Sequence, residues 1–356
     1  MNGSLVACTQ KAGPTRDTKT PEARPVGFAN DGQDRKRTTM VQMAQETSRA
    51  TLAFQVAGDS ADRFQVIRYS GLEGLSRLYR FEIEVAARDH AVAFDKIVGK
   101  AAVFSIAHPN GDKWFHGIVS RFELTGESAE LTYFRIELVP AVWLLCHRYG
   151  SRIFQNKTAP EIIEEVLTRA GIATDRYRPM LERSYDKREF CVQYRETDYN
   201  FIARLMEEEG IWWYFEQRPD RHVLVFADSK SAYVSSKEDA PIPYVPPTGM
   251  SPRDEHVSRF RLGRSVRPGS VTINDFSFEN PKLDLKSQAD CGRDTGLEVS
   301  DYPGEYALQS QGRTLVQIRA EELECGRVLG VGQSNSVRLV PARTFKIERP
   351  SEHIRE

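Results

Sequence analysis

Residues 198–226, DYNFIARLMEEEGIWWYFEQRPDRHVLVF, decide the fold. Phe201, Ile202, Leu205 and Met206 recur at helical spacing on one face, from a start near Asp198 to a stop at Gly210. Residues 211–215 and 222–226 then read as a strand pair across the turn at 218–221. Rings in the run Trp212-Trp213-Tyr214-Phe215 could stack on sugars if they shared a face. On a strand they alternate between faces, so burial between two layers is the better account.

Working outward, Thr158-Ala159-Pro160-Glu161 is a capping box with proline in the first turn. Ile162, Ile163, Val166 and Leu167 continue that helix to Gly171. Further upstream the period changes to two. Tyr79, Phe81, Ile83 and Val85 alternate with Arg80, Glu82 and Glu84, and Phe134, Ile136 and Leu138 alternate with Arg135 and Glu137. Residues 101–108 and 113–124 form a hairpin around Pro109-Asn110-Gly111-Asp112, where Asn-Gly supplies positive φ. Downstream, 229–255 is loop-like and proline-rich, followed by an expected strand at 271–278, a helix near 311–325 and final strands near 336–347. The chain is thus a β-rich α+β protein in which two β-rich regions flank a mixed middle. Expected units are an extension (1–48), a first β domain (49–150), a mixed α/β middle (151–228) and a second β domain with a loop-rich insertion (229–356).

A length of 356 residues suits two or three domains and a sizeable core. Forty-nine basic against fifty acidic residues leave a formal charge of −1, which gives no global field for nucleic acid or anionic lipid. The five cysteines, Cys8, Cys146, Cys191, Cys291 and Cys325, are odd in number and never paired as Cys-x-x-Cys. Buried, reduced thiols are expected, consistent with cytoplasmic synthesis. No run approaches the ~18 apolar residues of a membrane-spanning helix, so stable membrane insertion is not expected. Leu5-Val6-Ala7-Cys8 lacks the charged and apolar stretches of a secretory signal. Residues 1–39 carry no periodicity and read as disordered, with Met40 or Met43 as an expected natural start.

Candidate chemistry is thin. Glu207-Glu208-Glu209 is the sharpest acidic cluster, but successive helical residues point about 100° apart and cannot converge on one substrate. A solvated face with one interface contact is expected of it. None of the seven histidines forms a metal-ligand pair on a helix, and His116 reads as a packed or rim side chain. Nucleophile elbow, phosphate-binding loop and dinucleotide fingerprint do not occur. Arg259, Arg261, Arg264 and Arg267 make a basic stretch with only Phe260 among them, which favours exposure or salt bridges to a neighbouring subunit over nucleic acid. No catalytic, cofactor-binding or metal-binding residue is assigned, and no cofactor is expected.

Several stretches, taken in order, resemble the hub region of the VgrG spike family of type VI secretion. They are Leu75-Ser76-Arg77-Leu78-Tyr79-Arg80-Phe81-Glu82, then Phe115-His116-Gly117-Ile118-Val119, then Ser151-Arg152-Ile153-Phe154-Gln155-Asn156-Lys157. Most specific is Arg188-Glu189-Phe190-Cys191-Val192-Gln193-Tyr194-Arg195-Glu196-Thr197-Asp198 with the run to Tyr214. Asp275-Phe276-Ser277-Phe278-Glu279-Asn280-Pro281 and Tyr302-Pro303-Gly304-Glu305-Tyr306 also fit.

The resemblance implies a structural, non-enzymatic hub with two β-barrel-like domains, phage tail hub-like in architecture. It implies a homotrimer whose six barrel positions sit on the hexameric Hcp tube, with baseplate components and effector or adaptor proteins as further partners. The chain would be made in the cytoplasm, assemble in the injection apparatus and be secreted on firing if the missing C-terminal region is supplied. Only nine residues follow Ile347, so an incomplete second barrel and no needle are expected. Competing readings are a contractile phage-tail hub, a cell-wall glycan hydrolase and a non-functional gene fragment.

Overall fold

The computed structural model describes residues 3–5, 51–108, 111–234, 240–246 and 254–348. The expected disorder of residues 1–48 therefore lies outside the described residues, except for strand β1 (Gly3–Leu5). The first unit contains β2 (Thr51–Val56), β3 (Gln65–Leu72), β4 (Arg80–Ala87), β5 (Ala101–Ala107), β6 (Lys113–Glu127) and β7 (Thr132–Val139). They form one antiparallel sheet in the order β2-β5-β6-β7-β4-β3. The sheet curls until its two edges meet at a bridge between Phe54 and Phe64. Alternation along β4 and β7 sends Phe81, Ile83, Phe134 and Ile136 inward. Glu84 stays outside between Arg68 and Arg135. Gly117 in β6 is needed because a Cβ there would lie 2.3 Å from the Val139 carbonyl oxygen.

The middle of the chain holds β8 (Tyr149–Lys157), α1 (Ala159–Arg169), β9 (Tyr177–Met180), β10 (Arg188–Thr197), α2 (Asp198–Glu208), β11 (Trp212–Gln217) and β12 (His222–Ala227). Thr158 caps α1 and Glu161 returns the bond, so the expected capping box is present. Gly171 and Gly210 take positive φ just beyond α1 and α2. β11 pairs with β12, and β9 joins it in parallel. Both faces of β11 are covered: Trp213 and Phe215 enter the main core, while Tyr214 packs with Val223 and Val225 on the other side. That main core is continuous from Phe54 to Phe226 and so runs through the first unit and the middle alike. Tyr79 helps to join them. Its ring meets Phe215 edge-on at 4.9 Å, and its hydroxyl donates to the His116 carbonyl.

The last third contains β13 (Val257–Arg264), β14 (Ser270–Ile273), β15 (Ser287–Asp290), β16 (Glu298–Asp301), α3 (Gln309–Cys325) and β17 (Val328–Ser334). Among the described residues these make two three-stranded sheets, β15-β14-β16 and β1-β17-β13, and no closed second barrel. The first packs Val271, Ile273 and Leu285 against Val316 and Ala320 of α3, with Tyr306 between. The second is a ribbon in which Phe260 lies across the bare backbone of Gly330 and Gly332.

Three expectations are corrected here. The strand expected over 271–278 stops at Ile273, because the Asp275 carboxylate accepts from the backbone of Phe276 (2.6 Å) and Tyr306 (3.3 Å) and turns the chain out of the sheet. The strands expected near 336–347 are isolated bridges at Arg343 and Ile347, and the true strand, β17, precedes them. Of the described cysteines only Cys191 is buried; Cys325, at the solvent end of α3, is exposed.

Candidate docking surface

Strands β8 and β10 are each other's only sheet partner among the described residues, so a two-stranded antiparallel sheet lies over α1 and α2. Such a pair is marginal by itself, and its inner face is heavily tied down. Phe154 stacks on Phe201 of α2 with centroids 5.4 Å apart, and Cys191 joins the same core. Burial pushes the Cys191 thiol up, away from nucleophilic or metal-binding character.

Arg188, Gln193, Glu196, Thr197 and Asp198 of the segment serve this attachment. Thr197 caps α2 by accepting from the Asn200 amide. Asp198 follows in the first helical turn with no exposed surface. Gln193 donates to it at 2.9 Å, Arg148 at 2.9 Å, and Arg152 on β8 also bonds to it. Burial would raise the Asp198 carboxyl, but the bonds from Gln193, Arg152 and Arg148 outweigh it and hold the group below the usual carboxylate range. Glu196 binds Arg204 at 2.9 Å. Arg188 grips Glu208 at 2.9 Å and Glu209 at 2.7 Å, so the far end of α2 is clamped as well.

The clamp corrects the expectation for the acidic cluster. Glu208 and Glu209 are engaged within the chain by Arg188, and Arg204 also reaches Glu208 at 3.2 Å. They diverge as expected, and their partners are structural. His116 is half-buried, 3.0 Å from the Pro219 carbonyl oxygen through Nε2. Among the described residues no group of three or more His, Cys, Asp or Glu could hold a metal ion, and no helix is long and apolar enough to cross a membrane. Arg259, Arg261 and Arg264 stand exposed along β13, as the basic stretch suggested.

The outer face of β8–β10 has the opposite character. Alternation presents Tyr149, Ile153, Phe190, Val192 and Tyr194 outward, with Ser151 and Gln155 among them, so seven positions carry no charge. Ile153 is 67 % exposed, Phe190 58 % and Tyr194 65 %. At the end of the pair a bulge leaves Arg195 at φ 47°, with its guanidinium 5.4 Å from the Tyr194 ring. Sequence reading missed this surface. Its one available signal was the alternation of Phe190, Val192 and Tyr194 around the polar Gln193.

A curled antiparallel sheet sharing its core with a mixed α/β middle, with a firmly held two-stranded sheet over its helices, is a β-rich architecture of the phage-tail hub type. Residues 72–356 match the phage tail baseplate hub (GPD) family, and the chain belongs to it. It is 33 % identical over 301 residues to the type VI secretion system spike protein VgrG1c of Pseudomonas aeruginosa, covering 80 % of this chain and 41 % of that protein. With VgrG1a of the same organism it shares 34 % over 284 residues, covering 76 % and 44 %. The chain thus spans less than half the length of these relatives. Its fold is similar to that of the E. coli c3393 protein, a component of the type VI secretion system (TM-score 0.63, 22 % identity, 83 % of this chain and 67 % of that one). It also resembles a 43 kDa prophage tail protein of Shewanella oneidensis (TM-score 0.53, 14 % identity, 84 % and 86 %).

Proposed function

We propose that this chain is the hub portion of a type VI secretion spike: a homotrimer whose sheet-built units dock on the hexameric Hcp tube and support spike and effector delivery. Baseplate components and effector or adaptor proteins would be its further partners. It would be made in the cytoplasm, assemble in the injection apparatus, and leave on firing if the C-terminal needle region is supplied. Its work is geometric, and it catalyses no reaction of its own.

One observation carries the reading. Spike proteins of P. aeruginosa share about a third of the residues across most of this chain. The relatives that share about a third of their residues with this chain are secretion spike proteins, whereas the prophage tail protein shares 14 %, which favours the secretion system over a phage tail. Light scattering on the purified chain tests the ring, with a trimeric mass expected. Retention of purified Hcp rings on the immobilised trimer tests the tube contact; a chain that stays monomeric at every concentration, or a trimer that ignores Hcp, overturns the reading.

A further inference from the structure

The β8–β10 surface and one other patch stand in a relation that the family assignment leaves untouched. Tyr149, Ile153, Phe190, Val192 and Tyr194 leave on the order of 500 Å² of apolar surface in water, from the ~150–250 Å² that such large side chains present. That reaches the upper end of what a lone subunit exposes and most of the ~800 Å² per partner of a standard interface. The flanks carry Lys187 and Arg195, both exposed and neither salt-bridged among the described residues, with Asp186 and Glu189 also exposed beside Lys187.

A second exposed patch lies in the last third. The turn made by Asp275 throws Phe276 and Phe278 out of the β14–β16 sheet, with rings 5.1 Å apart. Phe278 is 89 % exposed, and Tyr302, on the segment bonded to Asn274, is 64 % exposed. The two segments are held together, since Asn274 donates to the Asp301 carbonyl oxygen at 3.2 Å and accepts from Gly304 at 2.9 Å. The flanks here are acidic: Glu279, Asp301 and Glu305 are exposed without a salt bridge among the described residues. Among the described residues, nothing covers most of Phe278 or Tyr302, and Phe276 is left nearly half exposed.

We propose that these two surfaces are the halves of one contact: the outer face of β8–β10 receives Phe276, Phe278 and Tyr302 of a second copy of this chain. The inference rests on the ring assembly proposed above and names its contact. Two unlike patches on one chain generate a head-to-tail interface, the kind that closes into a cyclic ring. Each half is apolar at its centre, and the exposed Lys187 and Arg195 at the rim of one can meet the exposed Glu279, Asp301 and Glu305 at the rim of the other. Such rims orient the encounter and disfavour like-on-like pairing. A flexible aromatic pair would be a poor anchor, but the backbone of Phe276 is pinned by Asp275, which lowers the ordering cost of binding.

The test uses two double variants at exposed positions, Ile153→Asp/Val192→Asp and Phe276→Lys/Phe278→Lys, sized by light scattering beside the wild type. Each variant alone is expected to be monomeric, with self-association weakened on the order of 10-fold or more and a thermal melt like that of the wild type. An equimolar mixture is expected to give dimers, because one intact contact can form and the ring cannot close. If Ile153→Asp/Val192→Asp loses the wild-type far-UV spectrum, Tyr194→Lys alone replaces it. A wild-type trimer that either variant leaves intact overturns this contact while sparing the ring, as does a mixture that stays monomeric. A wild-type chain that never associates overturns the ring itself.

Discussion

Gln193 donates from Nε2 to the carboxylate of Asp198 at 2.9 Å, tying strand β10 to the first turn of the helix that follows it. Arg152 on β8 and Arg148 just before that strand reach the same buried carboxylate. Removing it would strand two guanidinium groups and one amide, a cost of about 3 kcal/mol for a broken buried pair. Asp198→Ala is therefore expected to lower the urea midpoint sharply with an unchanged slope. Arg148→Ala, at the half-exposed end, is expected to lose about 1 kcal/mol or less. Equal losses would show that the carboxylate is not the centre of the network.

A second prediction concerns acid. His222 is buried beneath Tyr79 and Phe215, and its Nε2 accepts from the Ala141 amide at 3.3 Å. Burial, with Arg176 and then His116 adding to it, pushes the imidazole down to about 4. The unfolded chain has the ordinary value near 6.5 and takes up the proton first as pH falls. The stabilising effect of the neutral ring is thus complete above about pH 6.5 and is lost as pH falls towards 4, by about 3 kcal/mol in all. Urea midpoints measured from pH 7 to pH 4.5 should show this fall, and His222→Gln, which keeps an acceptor but cannot titrate, should flatten it. A variant with the wild-type pH profile would place the proton uptake elsewhere.

The parts of this fold that were legible in the sequence are those whose cause is local. The period of two in β4 and β7 records one buried and one wet face. The start of α1 is written in Thr158 and Glu161, three residues apart. The acidic cluster was half legible: its divergence follows from helix geometry alone, but its partner Arg188 lies some twenty residues upstream, and no local pattern announces such a pairing. β17 was missed because Gly330 and Gly332 dilute its strand character, and only Phe260 on the neighbouring strand restores it. Likewise Val271, Ile273, Phe276 and Phe278 give the 271–278 stretch a strand-like pattern, yet one Asx contact at Asp275 ends the ladder.

Two glycines of one strand should respond in opposite ways. At Gly117 an added Cβ would lie 2.3 Å from the Val139 carbonyl oxygen, a backbone atom with no room to give. Gly117→Ala is expected to cost about 1–3 kcal/mol and to lower the thermal midpoint by several degrees. At Gly126 the nearest atom, on the Tyr133 ring, is 3.9 Å away, an ordinary contact. Gly126→Ala is expected to be neutral or mildly stabilising, since alanine narrows the unfolded ensemble. The same melt on both variants checks the contrast, and equal destabilisation would mean that the approach of β6 to β7 is looser than it stands here.

Arg188 offers the last test, because it joins stability to the presentation of the outer face. One guanidinium spans Glu208 and Glu209 with separate nitrogens, at 2.9 and 2.7 Å. Burial would lower its pKa, but the two carboxylates outweigh that and hold the group charged. Lysine supplies the same charge as a single point without the fork, so it can satisfy one carboxylate but not clamp both. Arg188→Lys is expected to cost about 1 kcal/mol overall. Its larger effect should be local: Phe190 follows two residues later, and loss of the clamp frees the start of β10. Amide exchange over 188–192 should accelerate while exchange in the curled sheet, at 134–138, keeps its rate. Uniform acceleration across both segments would instead make Arg188 a general contributor to stability, with no particular hold on the docking face.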